Sequence, residues 1–313
     1  MTSTKTTKKG FTIIELLTVL SIIIILISVL VPGMNRARIF AKKVTQKGQF
    51  HEISKGLELF RNDHQETYPD SGAADTAATP VGYCGAMKLC EAMLGQDGMG
   101  YHPSSKFLAD ATQGGTITPD IYPFDLCNKT DPSAYSGSTP AALVLAANLR
   151  ERAKYLESDN IKASRLQDMY SWGIDSSTSS YDTVSFNKDP LAYPNAVITD
   201  VYLRVASRCG GVKTGMPVLY YKADSSKLIH DPCFFDTALP QYATTNPSIY
   251  NFDDNHALVK LGCPWDADPT AGGATHPMLD PLVFYKAITN KKVTSTPRPH
   301  NEDSYILISA GYD

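Results

Sequence analysis

Between Phe11 and Val31 the chain runs for 21 residues with a single charged side chain, Glu15. As a helix rising about 1.5 Å per residue, this stretch reaches roughly 30 Å, the thickness of a bilayer's hydrocarbon core. A helix in a soluble core buries one face and keeps the other polar. Apolarity on every side therefore predicts a membrane span. Beyond Val31 the composition changes to a polar, Gly-, Pro-, Ser-, Thr- and Asn-rich chain. Overall it is 42% hydrophobic and 19% charged, values of a foldable sequence. The net charge of -3 argues against a general nucleic-acid binder, which would carry a basic surplus.

Several kinds of N-terminal segment contain an apolar run, and they differ at its edges. A secretory signal has an apolar core of about 7–15 residues followed by small residues at a cleavage site. Here the run is longer and continues into Pro32-Gly33-Met34-Asn35-Arg36. A lipoprotein signal needs a Cys just after the run, and the first is Cys84. A plain signal anchor fits the length but gives no reason for Glu15, whose burial in a bilayer costs up to about 2.5–3.5 kcal/mol. A cut after Gly10 supplies the reason. It frees the α-amino group of Phe11 four residues before Glu15, about one helical turn away, where amine and carboxylate can neutralise each other. A cut before the run also leaves the helix in the product, so the mature chain stays anchored.

Lys8-Lys9-Gly10-Phe11-Thr12-Ile13-Ile14-Glu15-Leu16-Leu17 resembles the cleavage segment of type IV prepilins and type II secretion pseudopilins. The resemblance implies a prepilin peptidase that cuts after Gly10 and N-methylates Phe11. It also implies that Glu15 docks each subunit into a growing filament, and that Pro32 kinks or locally melts the long helix. The implied partners are that peptidase, other pilin or pseudopilin subunits, an inner-membrane assembly platform and the lipid bilayer, with no nucleic acid. The implied location is the bacterial inner membrane, single-pass, with the head exported to the periplasm and later carried in a periplasmic or surface filament. Lys5, Lys8 and Lys9 precede the span while Arg36, Arg38, Lys42, Lys43 and Lys47 follow it. The positive-inside count alone would put the C-terminal side in the cytoplasm; the family places the leader there, and that orientation is the one expected.

After Pro32 the pattern turns amphipathic. Phe50, Ile53, Leu57 and Phe60 mark one helix face, and Tyr68-Pro69-Asp70 ends the helix after about Asn62 or His64. Gly48 and Gly56 weaken it by about 1 kcal/mol each relative to Ala. The expected division is a cleaved leader at 1–10, a transmembrane half-helix at 11–31, an amphipathic half-helix at 32–64 and an exported globular head at 65–313.

In the head, short helices are expected over Gly85–Leu94 and from Pro140 to about Leu156. Strands are expected over Val197–Ala206, Val218–Lys222, Leu282–Ala287 and Tyr305–Ser309. Gly215-Met216-Pro217-Val218-Leu219-Tyr220-Tyr221-Lys222-Ala223 and Asp280-Pro281-Leu282-Val283-Phe284-Tyr285-Lys286-Ala287 look alike and predict two antiparallel strands. Both segments, and the final Tyr305-Ile306-Leu307-Ile308-Ser309-Ala310-Gly311, resemble strands of pseudopilin heads. The expected fold class is thus α+β and pilin-like: a long N-terminal membrane-spanning helix packed on an antiparallel sheet with helical and loop insertions.

Cys84, Cys90, Cys127, Cys209, Cys233 and Cys263 form no C-x-x-C pair, so zinc is a poor reading. In an exported domain their even number favours disulfides of undetermined connectivity; in a reducing compartment they would be buried thiols. Secretion-type heads often carry a calcium loop near the C-terminus. Asp253-Asp254 and Glu302-Asp303 offer oxygen ligands, but the chain ends too soon after Gly311 for that loop; no cofactor is expected, with calcium kept as the alternative. His102, His230, His256 and His276 are scattered and read as ordinary exposed residues. No P-loop, Gly-x-Ser-x-Gly or helical zinc motif occurs. The expected function is therefore structural, a processed filament subunit and not an enzyme. The alternative is an exported binding or enzymatic domain on a prepilin-type anchor.

Overall fold

The structure, a computed structural model, describes residues 12–72, 83–105, 107, 149–157, 161–170, 196–203, 205–206, 213–230, 248–260, 262 and 277–311. It divides into two compact units, Met1–Lys47 and Gly48–Asp313. The described elements confirm an α+β chain with a long N-terminal helix and small antiparallel sheets.

Helix α1 runs from Ile13 to Asp63, 51 residues, with Pro32 inside it. The expected stop before Tyr68-Pro69 holds: Gln65 and Glu66 take positive φ values of 51° and 59°, and the chain leaves the helix there. The resemblance implies a kink or local melting at Pro32; the helical segment runs continuously through that position. Pro32 lacks the N–H that would bond the Ser28 carbonyl, yet the helix continues on both sides.

In the second unit, the last turns of α1 contribute Ile53, Leu57 and Phe60, all buried, as the spacing predicts. They pack with Leu89 and Met93 of α2 (Gly85–Leu94), and with Ile198, Val218, Tyr220 and Tyr305. Each such side chain withdrawn from water contributes about 1.5–3 kcal/mol. This burial explains why the unit begins at Gly48, inside the helix. Gly56 is part of the fit. A Cβ there would stand 2.9 Å from both Met93 Sδ and the Tyr155 carbonyl oxygen. What reads as a weak helical position is a place where the head presses against the helix.

The strands are short. β1 (Ala163–Arg165) pairs antiparallel with β2 (Ala196–Ile198), β3 (Val205–Ala206) with β4 (Lys213–Thr214), and β5 (Leu219–Lys222) with β6 (Tyr305–Ile308). A bridge between Thr199 and Pro217, with Val218 N–H donating to Ile198 O at 2.8 Å, ties the first pair to the third. Helix α2 lies against β2 and β5 and is buried along its whole length, so its apolar residues do not define a single inward face. A four-residue helix α3 (Leu166–Met169) follows β1, and α4 (His256–Lys260) follows a 3-10 turn at Phe252–Asn255.

Three expectations for the head need correction. The expected strand over Leu282–Ala287 is a helix, α5 (Pro281–Ile288). Asp280 caps it by accepting from the Leu282 N–H at 2.8 Å, and Pro281 fills the first turn, where a missing N–H costs nothing. Phe284, Tyr285 and Ile288 are the buried positions, a helical spacing hidden in an apolar run. The look-alike segments at 215–223 and 280–287 therefore fold differently. The continuous strand expected over Val197–Ala206 breaks after Ile198. There the buried Asp200 carboxylate accepts from the N–H groups of Tyr202 and Met216, each at 3.1 Å, and folds the chain into a turn. The helix expected up to Leu156 is over by Arg152. Residues 149–151 are helical, but Tyr101 and Ala153 then exchange two backbone hydrogen bonds of 2.8 and 3.0 Å. Its earlier part lies outside the described residues.

Candidate functional site: the start of the long helix

The residues singled out for processing, Gly10 and Phe11, lie outside the described residues; the description opens at Thr12. Thr12 and Glu15 close the first turn of α1 reciprocally. The Glu15 carboxylate accepts at Oε2 from the Thr12 N–H at 2.9 Å and from the Thr12 hydroxyl at 2.8 Å. In return, Thr12 Oγ1 accepts from the Glu15 N–H at 3.3 Å. This is a capping box, Thr-x-x-Glu, which satisfies helix-end donors that have no partner within the helix. The Thr-x-x-Glu spacing is legible in the sequence. Glu15 Oε1 makes no hydrogen bond among the described residues.

From Ile13 the helix presents apolar side chains on all sides. Ile13, Ile14, Leu16, Leu17, Ile24 and Leu26 are among those exposed, and this is the one helix among the described residues long and apolar enough to cross a membrane. Its few hydroxyls are already satisfied. Thr18 donates to Glu15 O at 3.0 Å, Ser21 to Leu17 O at 2.8 Å and Ser28 to Ile25 O at 2.7 Å. Bonding back to the helix's own carbonyls removes the desolvation penalty that a free hydroxyl would carry in hydrocarbon.

The head's polar residues form structural ties. Where the chain leaves α1, Lys88 Nζ holds Asp70 at 3.0 Å, and Ser71 donates to the buried Asp254. Burial acts to raise the Asp70 pKa, but the Lys88 charge and hydrogen bond outweigh it and hold the carboxyl below its ordinary value. Burial pushes Asp254 up to about 6. Asn255 completes the tie by donating to Tyr220 O at 2.7 Å and accepting from the Ala86 N–H at 2.8 Å. A second knot surrounds the buried Glu91 of α2, which accepts from Tyr83, Gln96 and Ser105. In a third, Arg152 and Asp97 form an ion pair with both side chains almost wholly enclosed.

Of the six cysteines, Cys84 and Cys90 are free thiols, against the expectation of disulfides, and burial pushes them up to about 11 and about 12. They belong to opposite packing clusters on either side of α2. Cys127, Cys209, Cys233 and Cys263 lie outside the described residues. The reading of the histidines as exposed also needs correction. His102 and His230 are buried, with His230 bonded to Thr289 Oγ1 at 2.9 Å, while His256 is half-buried and His276 lies outside the described residues. Asp253 is exposed beside buried Asp254, and Glu302 pairs with Arg298 at 3.3 Å. Among the described residues no group of three or more His, Cys, Asp and Glu is placed to hold a metal ion.

No family model, curated protein or solved structure matches the chain.

Proposed function

We propose that this chain is a pilin-like filament subunit, a prepilin or pseudopilin processed after Gly10 and assembled through α1. The observation that carries the reading is the uncovered apolar half of α1, headed by Glu15 and preceded by Lys8-Lys9-Gly10-Phe11. Nothing in the described chain covers this surface, so it requires lipid, then other copies of the same helix. A filament core of packed helices meets that requirement.

The capping box fits the same reading. Thr12 holds Glu15 through Oε2 and leaves Oε1 for another donor. Cleavage after Gly10 would create that donor, the Phe11 amine, one residue before the cap. In the low dielectric between packed helices such a pair is strong, and either member alone is costly. The subunit would wait in the bacterial inner membrane with its head exported, serve as substrate of a prepilin peptidase, and be drawn into the filament by an inner-membrane assembly platform.

The test is mass spectrometry on purified surface or periplasmic filaments. The expected result is this chain beginning at N-methylated Phe11. Gly10→Val should leave the leader attached, and Glu15→Ala should permit cleavage yet block assembly. A normally shortened product from the first variant, or wild-type filament yield from the second, overturns the proposal.

A further inference from the structure

Charge is divided sharply along this chain. Residues 32–47 carry Arg36, Arg38, Lys42, Lys43 and Lys47 and no acid, whereas residues 48–313 hold 21 Lys and Arg against 31 Asp and Glu, a net of -10. Within the basic stretch, Arg36, Phe40, Lys43 and Lys47 stand at i, i+4, i+7 and i+11 of a continuous helix, so they share one face. All four are exposed, Phe40 at 69%. None of the three cations on this face has an ion-pair partner among the described residues.

We propose that this basic, Phe40-centred face of α1 receives the acidic head of a second copy of the chain. The inference rests on the filament reading and names the contact that sets the direction of stacking. Anionic lipid is the other source of negative charge, and distance decides against it. With about 1.5 Å per residue, Arg36 stands roughly 8 Å beyond Val31, inside the headgroup layer, but Phe40 stands about 14 Å out, Lys43 about 18 Å and Lys47 about 24 Å. Lys47 is then more than a Debye length, about 8 Å, past the lipid surface. Lipid attraction explains the first cation of the face and leaves the outer two, and the exposed Phe40 ring, without a counterpart.

A second copy supplies both. Heads of net -10 repel one another, and a stalk of net +5 offsets that repulsion wherever a head comes beside it. Subunits anchored in one membrane point the same way, so a contact between one copy's stalk and another copy's head joins two different surfaces of parallel chains. The two surfaces differ in sign and sit on the same chain, which makes the contact heterologous. Repeated without closure, a heterologous contact generates an open helical filament. Exposed ion pairs contribute only about 0.2–1 kcal/mol each, so their role is to orient subunits, with the apolar helices providing most of the cohesion.

The experiment places a photo-crosslinking amino acid at position 40 of the full chain and irradiates assembled filaments. The expected result is a crosslink to residues 48–313 of another copy, lost in high salt. Crosslinks solely to phospholipid, or solely to other stalks, overturn the inference while leaving filaments in place. In parallel, the triple variant Arg36→Glu, Lys43→Glu, Lys47→Glu should be cleaved and inserted normally, yet give filaments at a yield lower by about tenfold or more. Undiminished yield overturns the proposal. A wild-type chain that makes no filaments removes the filament reading itself, and this inference with it.

Discussion

Thr12 and Glu15 hold each other through three hydrogen bonds, two into the Glu15 carboxylate and one back to the Thr12 hydroxyl. The first turn of α1 is thus closed by its own side chains. Thr12→Ala should remove both hydroxyl bonds and cost about 0.5–2 kcal/mol of helix start. Amide exchange in detergent-solubilised protein should show faster exchange confined to the first turn. Unchanged protection there would mean that the cap contributes nothing.

Gly48 and Gly56 have the same intrinsic helix cost, and their surroundings separate them. Nothing lies within 4 Å of a Cβ at Gly48, whereas one at Gly56 meets Met93, Tyr155 and Leu156 at 2.9–3.0 Å. Gly48→Ala should stabilise by up to about 1 kcal/mol. Gly56→Ala should destabilise by about 1–3 kcal/mol, since two of its contacts are flexible side chains but the third is backbone. Denaturant unfolding of the two variants should move the midpoint in opposite directions; a shared upward shift would show that the head does not press on the helix there.

These two glycines also show how far the sequence could be read. Local pattern was enough for α1, since apolarity on every side and then the 50, 53, 57, 60 stripe are properties of one helix. The same holds for β5 and β6, whose apolar runs are bounded by clear turn residues. Gly56 was opaque because its cost depends on Tyr155, 99 positions away in the chain. The strand assigned to Leu282–Ala287 failed for a different reason. A short apolar run does not distinguish strand from buried helix; the deciding signal is local, Asp280-Pro281 as cap and first turn. At the site, Glu15 stood out as a charge in an apolar run, but its partner Thr12 was legible only as a capping spacing. His102 and His230 could not be placed, because burial of a loop histidine is decided by what folds over it.

Cys84 and Cys90 lie inside, with pKa values pushed up to about 11 and about 12 by burial. A thiol reacts through its thiolate, and burial suppresses both ionisation and access. Neither should be labelled by a thiol reagent at pH 8 in the folded protein, and both should be labelled once denatured without reductant. Peptide mapping of the labelled chain distinguishes them from the other four cysteines. Fast native labelling at Cys84 or Cys90 would contradict the packing around α2, and failure to label after unfolding would show a disulfide.

Asp254 is the head's clearest pH-dependent group. Burial raises its pKa from the ordinary 3.8 to about 6, while Ser71 and Lys88 oppose the shift. Between these values the folded state binds a proton that the unfolded state does not, so stability falls as pH rises through the window. Its contribution is fully present below about pH 4 and is lost as pH passes about 6. Two pH units correspond to about 3 kcal/mol, an upper bound here because the Asp70 carboxylate and the Lys88 charge both act on Asp254. His64 runs the other way: burial lowers its pKa, partly offset by Asp63, so its neutral form stabilises above pH 6.5 and that support is lost on acidification. The two trends overlap, and only a variant separates them. Asp254→Asn keeps an acceptor for the Ser71 hydroxyl and removes the ionisation. Relative to wild type it should be more stable at pH 7.5, by on the order of 1–3 kcal/mol, and about equal at pH 4. Unfolding free energies from pH 4 to 8 check this, and a wild-type-minus-variant difference that stays flat across the range would show that Asp254 is ionised throughout and that the Ser71 tie carries no pH dependence.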